Sequence, residues 1–357
     1  MKAKKMYSFE PDYAVAPGET LLEVMSSLEM TQKDLARRLD LTEQTLIRIF
    51  KGEQPISYAT ANRLELVTRV PARFWNNLEA LYREQLAKLD ERQQLEAHIE
   101  WLKAIPVKEL VDRGYLPSGL DKVTLLREVL KFYGVGNVDA WRDIWDVPAV
   151  AARRSSCFEF RPGAASAWIR QGELQAHDVE CQPFDKDRFK ATLLQIRTLT
   201  TAEPEVFEPE MKRLCAEAGV AVTLVKEMKK VPWSGATKWV TPKKAMILLC
   251  LRGKGEDKFW FSFFHEAGHV LHDSKKDLLI NDGSHDDPRE VQADHFAAHI
   301  LIPSKYDDQI ARMRTKSEVI NLATQLGISP GIIAGRYQYL TRKWDFFKEL
   351  IRPLNWV

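Results

Sequence analysis

Residues 263–272, FFHEAGHVLH, constrain this chain most strongly, because they set two histidines and a glutamate in an apolar run. Positions i and i+4 of an α-helix point to the same side, so the imidazoles of His265 and His269 can bind one ion. Glu266 then lies beside them and faces the open coordination position. Six of the eight histidines fall between His265 and His299, which favours a site. The run predicts a helix that carries two ligands of a metal ion.

A catalytic zinc normally takes three protein ligands and leaves a fourth position for water. The third ligand is expected to be Glu290, which opens the pattern Glu-x-x-Ala-Asp-x-Phe-Ala-Ala on a second predicted helix. Asp294 follows one helical turn later and is placed to accept the second N–H of a ligating histidine. The alternative is a buried structural pair of histidines, or a broken metal site kept only for packing.

The composition is that of an ordinary folded chain, with 45% hydrophobic and 29% charged residues among 357. The four cysteines, Cys157, Cys181, Cys215 and Cys250, form no Cys-x-x-Cys pair, so neither a disulfide framework nor a zinc ribbon is indicated. We find no secretion signal, and the longest strongly apolar run, residues 245–251, is far shorter than the roughly 20 residues of a membrane span. We therefore expect a soluble cytoplasmic protein without a membrane partner.

Short helices with clear start signals make up the N-terminal region. Thr31 and Thr42 are suited to cap two successive helices, and Gly52 stands where the second helix should end. A further helix is predicted from about Ser57 to Thr68. Two helices of about eight residues joined by a short turn are typical of a helix-turn-helix unit, whose second helix lies in the major groove of double-stranded DNA.

Hydrogen-bonding side chains are expected on the DNA-reading side of this unit. The predicted DNA-contacting residues are Gln32, Thr42, Gln44, Thr45 and Arg48. Residues 31–53 hold five basic and four acidic side chains, a net charge of only +1, so charge alone does not indicate DNA. The alternative is a small helical bundle that makes protein contacts only. A DNA-binding head also predicts a homodimer, because paired half-sites need paired heads.

A periodic apolar segment begins at Pro71 and runs to Ile105, before Pro106. It predicts one long helix or two joined helices, which can separate the DNA-reading head from the rest of the chain or form a dimer seam. We expect a helix-turn-helix domain over residues 1–90, a helical connector over 91–160 and a metal-binding domain over 161–357. The predicted fold class is α+β and mostly helical, with an all-α N-terminal bundle and a small β-sheet beside the histidine helix.

The N-terminal region resembles the HigA-type branch of the Xre helix-turn-helix family. The resemblance is carried by Pro17–Glu19, Met30–Ala36, Lys51–Gly52 and Arg73–Leu78, and it covers about the first 85 residues. Members of that family are transcriptional repressors, and many are antitoxins that repress their own operon as dimers. The resemblance therefore implies an operator DNA, a dimer and a toxin partner.

Roughly residues 160–340 resemble the ImmA/IrrE family of metallopeptidases. The matching segments are Ala167–Arg170, Ile247–Arg252, Asp257–Phe261, the histidine motif, Phe296–Ala298, Leu301–Pro303 and Leu326–Ile332. The resemblance implies a thermolysin-like core in which His265, His269 and Glu290 bind zinc, with manganese as the alternative metal. Known members cleave Xre-type repressors, so it also implies a repressor as the substrate.

The expected chemistry is amide hydrolysis in which the metal polarises the scissile carbonyl and Glu266 serves as general base. The group that steadies the oxyanion is not assigned, and its candidates are Tyr306, His299 and His295. We expect a strand ending near Leu251 to form the sheet edge above the histidine helix, where an extended substrate can pair with it.

Two functions from different classes remain at this point. The first is a DNA-binding regulatory zinc endopeptidase that cuts a repressor or antitoxin. The second is a HigA-like antitoxin or autorepressor whose metal domain senses or binds a partner without cleaving it. Glu266 discriminates between them, because metal binding alone does not need a general base. A degradative protease is disfavoured, since bulk digestion has no use for a DNA-reading module.

Overall fold

The computed structural model describes residues 13–146, 161–274, 279–280 and 287–356. Part of the expected connector, residues 147–160, and with it Cys157, lies outside these ranges. The chain divides into two compact units: the first holds the residues up to Glu100 together with Asp121–Arg127, and the second holds Trp101–Leu120 and the residues from Glu128 onward. Among the helices of the described ranges, none combines the length and apolar character needed to cross a membrane.

The first unit begins with five helices. They are α1 (Pro17–Ser27), α2 (Gln32–Leu39), α3 (Glu43–Phe50), α4 (Tyr58–Thr68) and α5 (Ala72–Ala97). The expected caps are confirmed, because Thr31 and Thr42 each accept a hydrogen bond from the backbone N–H three residues on. Asp40 takes a left-handed conformation (φ 53°) between α2 and α3 and makes the short turn. The predicted Pro71–Ile105 segment forms α5 followed by a 3₁₀ helix, Ile99–Ala104.

One apolar core holds the first unit together. Leu21 of α1, Leu35 of α2, Leu46 of α3, Leu64 of α4 and Trp75 of α5 are fully buried in it. Each of the five helices contributes its apolar stripe, so the stability of the unit comes from packing rather than from the propensity of helices as short as eight residues. The outward side of α3 is thereby fixed relative to the other helices.

The remaining helices follow in chain order. They are α6 (Val107–Asp112), α7 (Lys122–Tyr133), α8 (Val138–Trp141), α9 (Pro162–Asp178), α10 (Lys186–Thr198), α11 (Pro204–Glu217), α12 (Glu256–His272), α13 (Pro288–Leu301), α14 (Asp307–Ala311), α15 (Lys316–Leu326) and α16 (Pro330–Thr341). The strands are β1 (Val220–Leu224), β2 (Gly235–Thr241), β3 (Lys244–Leu249) and β4 (Leu279–Ile280). The predicted class, mostly helical α+β with a small sheet, is confirmed.

The sheet has the order β1-β3-β2-β4. Strands β1 and β3 are parallel, with Ala221 opposite Met246, and β2 runs antiparallel to both β3 and β4. The expectation that the strand ending near Leu251 forms the sheet edge is wrong, because β3 lies between β1 and β2. The physical reason is visible in β3 itself: residues 245–249 are fully buried, as the continuous apolar run of an interior strand requires.

The start of α12 is tied to three other segments of the second unit by a buried carboxylate. Glu256 is 1% exposed and accepts hydrogen bonds from Ser329 Oγ at 2.6 Å and from Arg352 Nη2 at 2.7 Å. The same guanidinium donates to the carbonyl oxygen of Thr200 at 3.2 Å. The chain after Arg352 stays attached, since Leu354 N donates to Lys254 O at 2.7 Å. The helix that bears the histidine motif is thus fixed at its N-terminal end.

Arg352→Ala should destabilise the second unit by about 3 kcal/mol, because it leaves the carboxylate of Glu256 buried without its cation. The measurement is chemical denaturation of the metal-free full chain, followed by far-UV circular dichroism. The matched control is Arg213→Ala, which removes an exposed arginine from its pairs with Glu210 and Glu217 and should change the unfolding midpoint very little. If the two substitutions lowered the free energy of unfolding equally, the buried Glu256–Arg352 pair would not have the stabilising role proposed here.

Candidate metal centre

Helix α12 is buried around nearly its whole circumference. Trp260, Phe263, Phe264 and Ala267 are fully buried in the core of the second unit, and the motif residues between them are buried as well. A helix that is apolar on all sides is a core helix, and polar groups carried by such a helix need partners. The histidines and Glu266 therefore have to be satisfied by specific groups or by an ion.

Three side chains meet at one point between α12 and α13. His265 Nε2 lies 3.1 Å from Glu290 Oε2, and His269 Nε2 lies 3.2 Å from Glu290 Oε1. The two Nε2 atoms are 3.0 Å apart. Ligand atoms about 2.0–2.1 Å from a tetrahedral zinc lie about 3.3 Å from one another, close to these separations. Among the described residues, this trio is the set of His, Cys, Asp and Glu side chains that can hold a metal ion.

A separate carboxylate fixes the outer nitrogen of each histidine. His265 Nδ1 lies 2.8 Å from Asp294 Oδ1, and His269 Nδ1 lies 2.7 Å from Asp273 Oδ2. Both Nδ1–H groups donate to a carboxylate, so both Nε2 lone pairs turn towards the shared point. Asp294 was predicted for this role, whereas Asp273 was missed. The sequence could have indicated this contact, because Asp273 follows His269 by four residues and side chains at that spacing lie on the same side of a helix.

The charges around the cluster favour a cation at its centre. Burial alone would lower the pKa of His265, but the carboxylates of Asp294 and Glu290 outweigh burial and raise that pKa to about 10. The pKa of His269 is raised in the same way, against burial, by Glu290, Glu266 and Asp273. Burial opposes the ionised form of Glu290, yet the two histidines lower the pKa of Glu290 to about 2. The surrounding carboxylates therefore stabilise positive charge at the imidazoles.

The carboxylate of Glu266 lies beside the cluster with one oxygen held and the other without a donor. Glu266 is fully buried, and its Oε2 accepts from Thr237 Oγ1 of β2 at 2.7 Å. Within the described residues, Oε1 has no hydrogen-bond partner. A buried carboxylate oxygen without a donor, next to three ligand atoms, is what a metal-bound water would satisfy. The residues present therefore fit a bound metal ion.

Strand β2 also makes room for this carboxylate. A Cβ atom on Gly235 would lie 2.5 Å from Glu266 Oε1, so a side chain at this position would displace the carboxylate. Burial raises the pKa of Glu266, while His265 and His269 oppose that rise. Thr237 and Gly235 were missed in the sequence, because nothing local links a strand to a helix some 30 residues away.

The three oxyanion candidates lie on α13 and on the 3₁₀ helix that follows it. His295 and His299 are exposed on α13, and Tyr306, half-buried, ends a 3₁₀ helix that begins at Ser304. Within the described ranges, no hydrogen bond joins these side chains to the cluster. The oxyanion group stays unassigned, and the three residues remain candidates.

Among the predicted DNA-contacting residues of the first unit, Gln32 lies on α2, Thr42 is the N-cap residue just before α3, and Gln44, Thr45 and Arg48 lie on α3. Gln32, Thr42, Gln44 and Arg48 are exposed, and Thr45 is half-buried. Thr42 Oγ1 and Thr45 Oγ1 are 2.9 Å apart, and Thr42 Oγ1 also accepts from Thr45 N at 3.1 Å. Both threonine hydroxyls therefore help to form the start of α3. Gln44 and Arg48, one turn apart, present the longer polar side chains on the exposed side of that helix.

Comparison with known families gives two matches. Residues 23–75 match the helix-turn-helix family model, and residues 224–337 match the M78 peptidase family model, described as the IrrE N-terminal-like domain. No curated protein matches the chain. The chain therefore carries an Xre-type helix-turn-helix domain near its N-terminus and an IrrE-like M78 peptidase domain towards its C-terminus. These matches support a metallopeptidase-type regulator that binds DNA.

Proposed function

We propose that this protein is a DNA-binding regulatory zinc endopeptidase whose substrate is a helix-turn-helix repressor or an antitoxin-type protein. The observation that carries the proposal is the buried trio of His265, His269 and Glu290, with the unpartnered oxygen of Glu266 beside it. A site that only bound metal would have no use for a buried carboxylate in that position. The helix-turn-helix match on the same chain favours a transcriptional role for the cleavage.

The proposed metal ligands are His265, His269 and Glu290, with zinc as the metal and manganese as the alternative. A bound ion would supply Lewis acidity, polarising the scissile carbonyl and lowering the pKa of a water molecule. Glu266 would take a proton at Oε1 from the attacking water as the water oxygen adds to the carbonyl carbon. It then delivers the proton to the leaving nitrogen as the C–N bond breaks. Asp294 and Asp273 hold the imidazoles, and the apolar walls of α12 limit access of bulk water.

We further propose the domain limits 1–90, 91–160 and 161–357 and a homodimer on operator DNA in the cytoplasm. Gln44 and Arg48 are the proposed base contacts, with Gln32, Thr42 and Thr45 near the backbone of the same half-site. The alternative function is a HigA-like antitoxin or autorepressor with a toxin partner, whose metal domain binds or senses that partner without cleaving it. It rests on the N-terminal resemblance alone.

Co-expression of the full chain with a panel of helix-turn-helix repressors tests the proposed function. The expected result is about one zinc per purified chain and cleavage of one panel member, which stops on chelation and returns when zinc is added back. A chain that binds zinc but cuts no member of a panel that includes repressors from its own genomic neighbourhood would point to the HigA-like autorepressor. A chain that binds no metal would show that the site assignment itself is wrong.

Thr237→Val should slow cleavage about ten- to a hundredfold on the substrate found in that panel, because it removes a hydrogen bond to a charged carboxylate. Thr237→Ser keeps the hydroxyl and should restore most of the rate. Zinc stoichiometry should be the same in both variants, since Thr237 bonds Glu266 and none of the three ligands. A valine variant as fast as the parent would show that the hydroxyl does not position Glu266.

A further inference from the structure

Asp273 contacts one metal-ligating candidate twice. It is the first residue after α12, where the backbone becomes extended (φ −98°, ψ 169°). Its N–H donates to the carbonyl oxygen of His269 at 3.0 Å, and its Oδ2 accepts from His269 Nδ1 at 2.7 Å. The end of the helix and the orientation of the imidazole are therefore fixed by the same residue.

The position of Asp273 is electrostatically unfavourable for a residue that only ends a helix. The C-terminus of a helix carries partial negative charge, so lysine, arginine or histidine is favoured there and a carboxylate is disfavoured. An aspartate nevertheless stands at this position, in direct contact with the imidazole of His269, which faces the proposed ion. The negative charge of the Asp273 carboxylate is offset by the His269 ring and by the proposed metal ion that this ring would bind.

The carboxylates on the two histidines differ in burial. The Asp273 side chain is 9% exposed, whereas the Asp294 side chain is 31% exposed. Water can replace part of the Asp294 contact and screens its charge, but it reaches Asp273 much less. After removal of Asp273, water should therefore replace the lost hydrogen-bond acceptor of His269 less well than it replaces that of His265 after removal of Asp294.

We propose that Asp273 is a positioning residue that sets the metal affinity of the site through His269, and that it does so more strongly than Asp294 acts through His265. The functional motif then reads His-Glu-x-x-His-x-x-x-Asp, from His265 to Asp273. The inference deepens the proposed function, because it uses the same metal site. It requires metal binding only and does not require cleavage.

The test is zinc affinity of the purified full chain, measured by competition with a chromophoric chelator after removal of metal. Asp273→Ala should weaken zinc binding about 10- to 100-fold, and Asp294→Ala should weaken it less. Asp273→Asn keeps an acceptor without the charge and should fall between the parent and Asp273→Ala. The matched control, Asp308→Ala, removes an exposed aspartate from α14 and should leave the affinity unchanged.

Two further measurements separate positioning from folding. The Co²⁺ complex of Asp273→Ala should show altered visible absorption, because the His269 ring loses its fixed orientation, while thermal unfolding of the metal-free variant stays close to that of the parent. Unchanged zinc affinity and an unchanged Co²⁺ spectrum in Asp273→Ala would overturn the inference, as would a larger loss in Asp294→Ala or a parent chain that binds no zinc. A parent that binds zinc but cuts nothing, with weakened binding in Asp273→Ala, would support this inference while the proposed function fails.

Discussion

Glu266→Gln is expected to abolish detectable cleavage while the protein still binds zinc. Glutamine has nearly the shape of glutamate, so it fills the same buried space between α12 and β2, but its amide cannot accept and return a proton. Loss of a general base costs about 10²- to 10⁴-fold in rate. The measurement pairs single-turnover cleavage of the repressor found by co-expression with zinc content per chain.

The control for this experiment is a variant that removes a ligand instead of the base. His265→Ala should lose zinc and cleavage together, since His265 Nε2 is one of the three atoms that converge on the metal position. Glu266→Gln should lose cleavage alone. Cleavage by Glu266→Gln at the parental rate would show that another group moves the proton, and the proposed mechanism would then be wrong.

Gly18→Ala is expected to destabilise the helix-turn-helix unit by about 3 kcal/mol, at the upper end of the usual cost of overpacking. A Cβ atom on Gly18 would lie 2.3 Å from Phe50 Cα, 2.4 Å from Phe50 O and 2.5 Å from Ile49 O. All three atoms belong to the backbone of α3, so no side-chain rotation can relieve the overlap. Helix α1 has to move away from the proposed DNA-reading helix.

Hydrogen exchange of the full chain, read by mass spectrometry, resolves this effect by segment. Amides of α1 and α3 should lose protection in Gly18→Ala, and the melting transition of this unit should fall by more than about 10 °C. Gly136→Ala is the matched control, since a Cβ atom there meets nothing within 4 Å. Parental protection of α1 and α3 in Gly18→Ala would contradict the close approach of the two helices.

Local patterns allowed much of the site to be predicted. His265, Glu266 and His269 lie within five residues on one helix, so the periodicity of the helix brings them together without knowledge of the fold. Glu290 and Asp294 are also spaced by one turn, which makes a second helix with both carboxylates on one side a simple prediction. The caps of α2 and α3 were predicted for the same reason.

The sheet was predicted less well, because strand order depends on contacts between distant residues. An apolar run such as β3 marks a buried strand, but its sequence does not say which neighbours it has. The expected edge at β3 was wrong for this reason. Thr237 and Gly235 were missed because they reach Glu266 only after β2 has paired with β3 and packed against α12.

The sequence by itself determined the helix that bears the histidines, the spacing of its ligand candidates and the caps of the helix-turn-helix unit, because all of these depend on interactions within a few residues. Only the tertiary structure decided which strand faces Glu266, that one oxygen of Glu266 is held by Thr237 and the other is left without a donor, and that Asp294 and Asp273 are divided between the two histidines. These features depend on burial and on pairing across the chain. They follow from how the second unit packs, which no local pattern specifies.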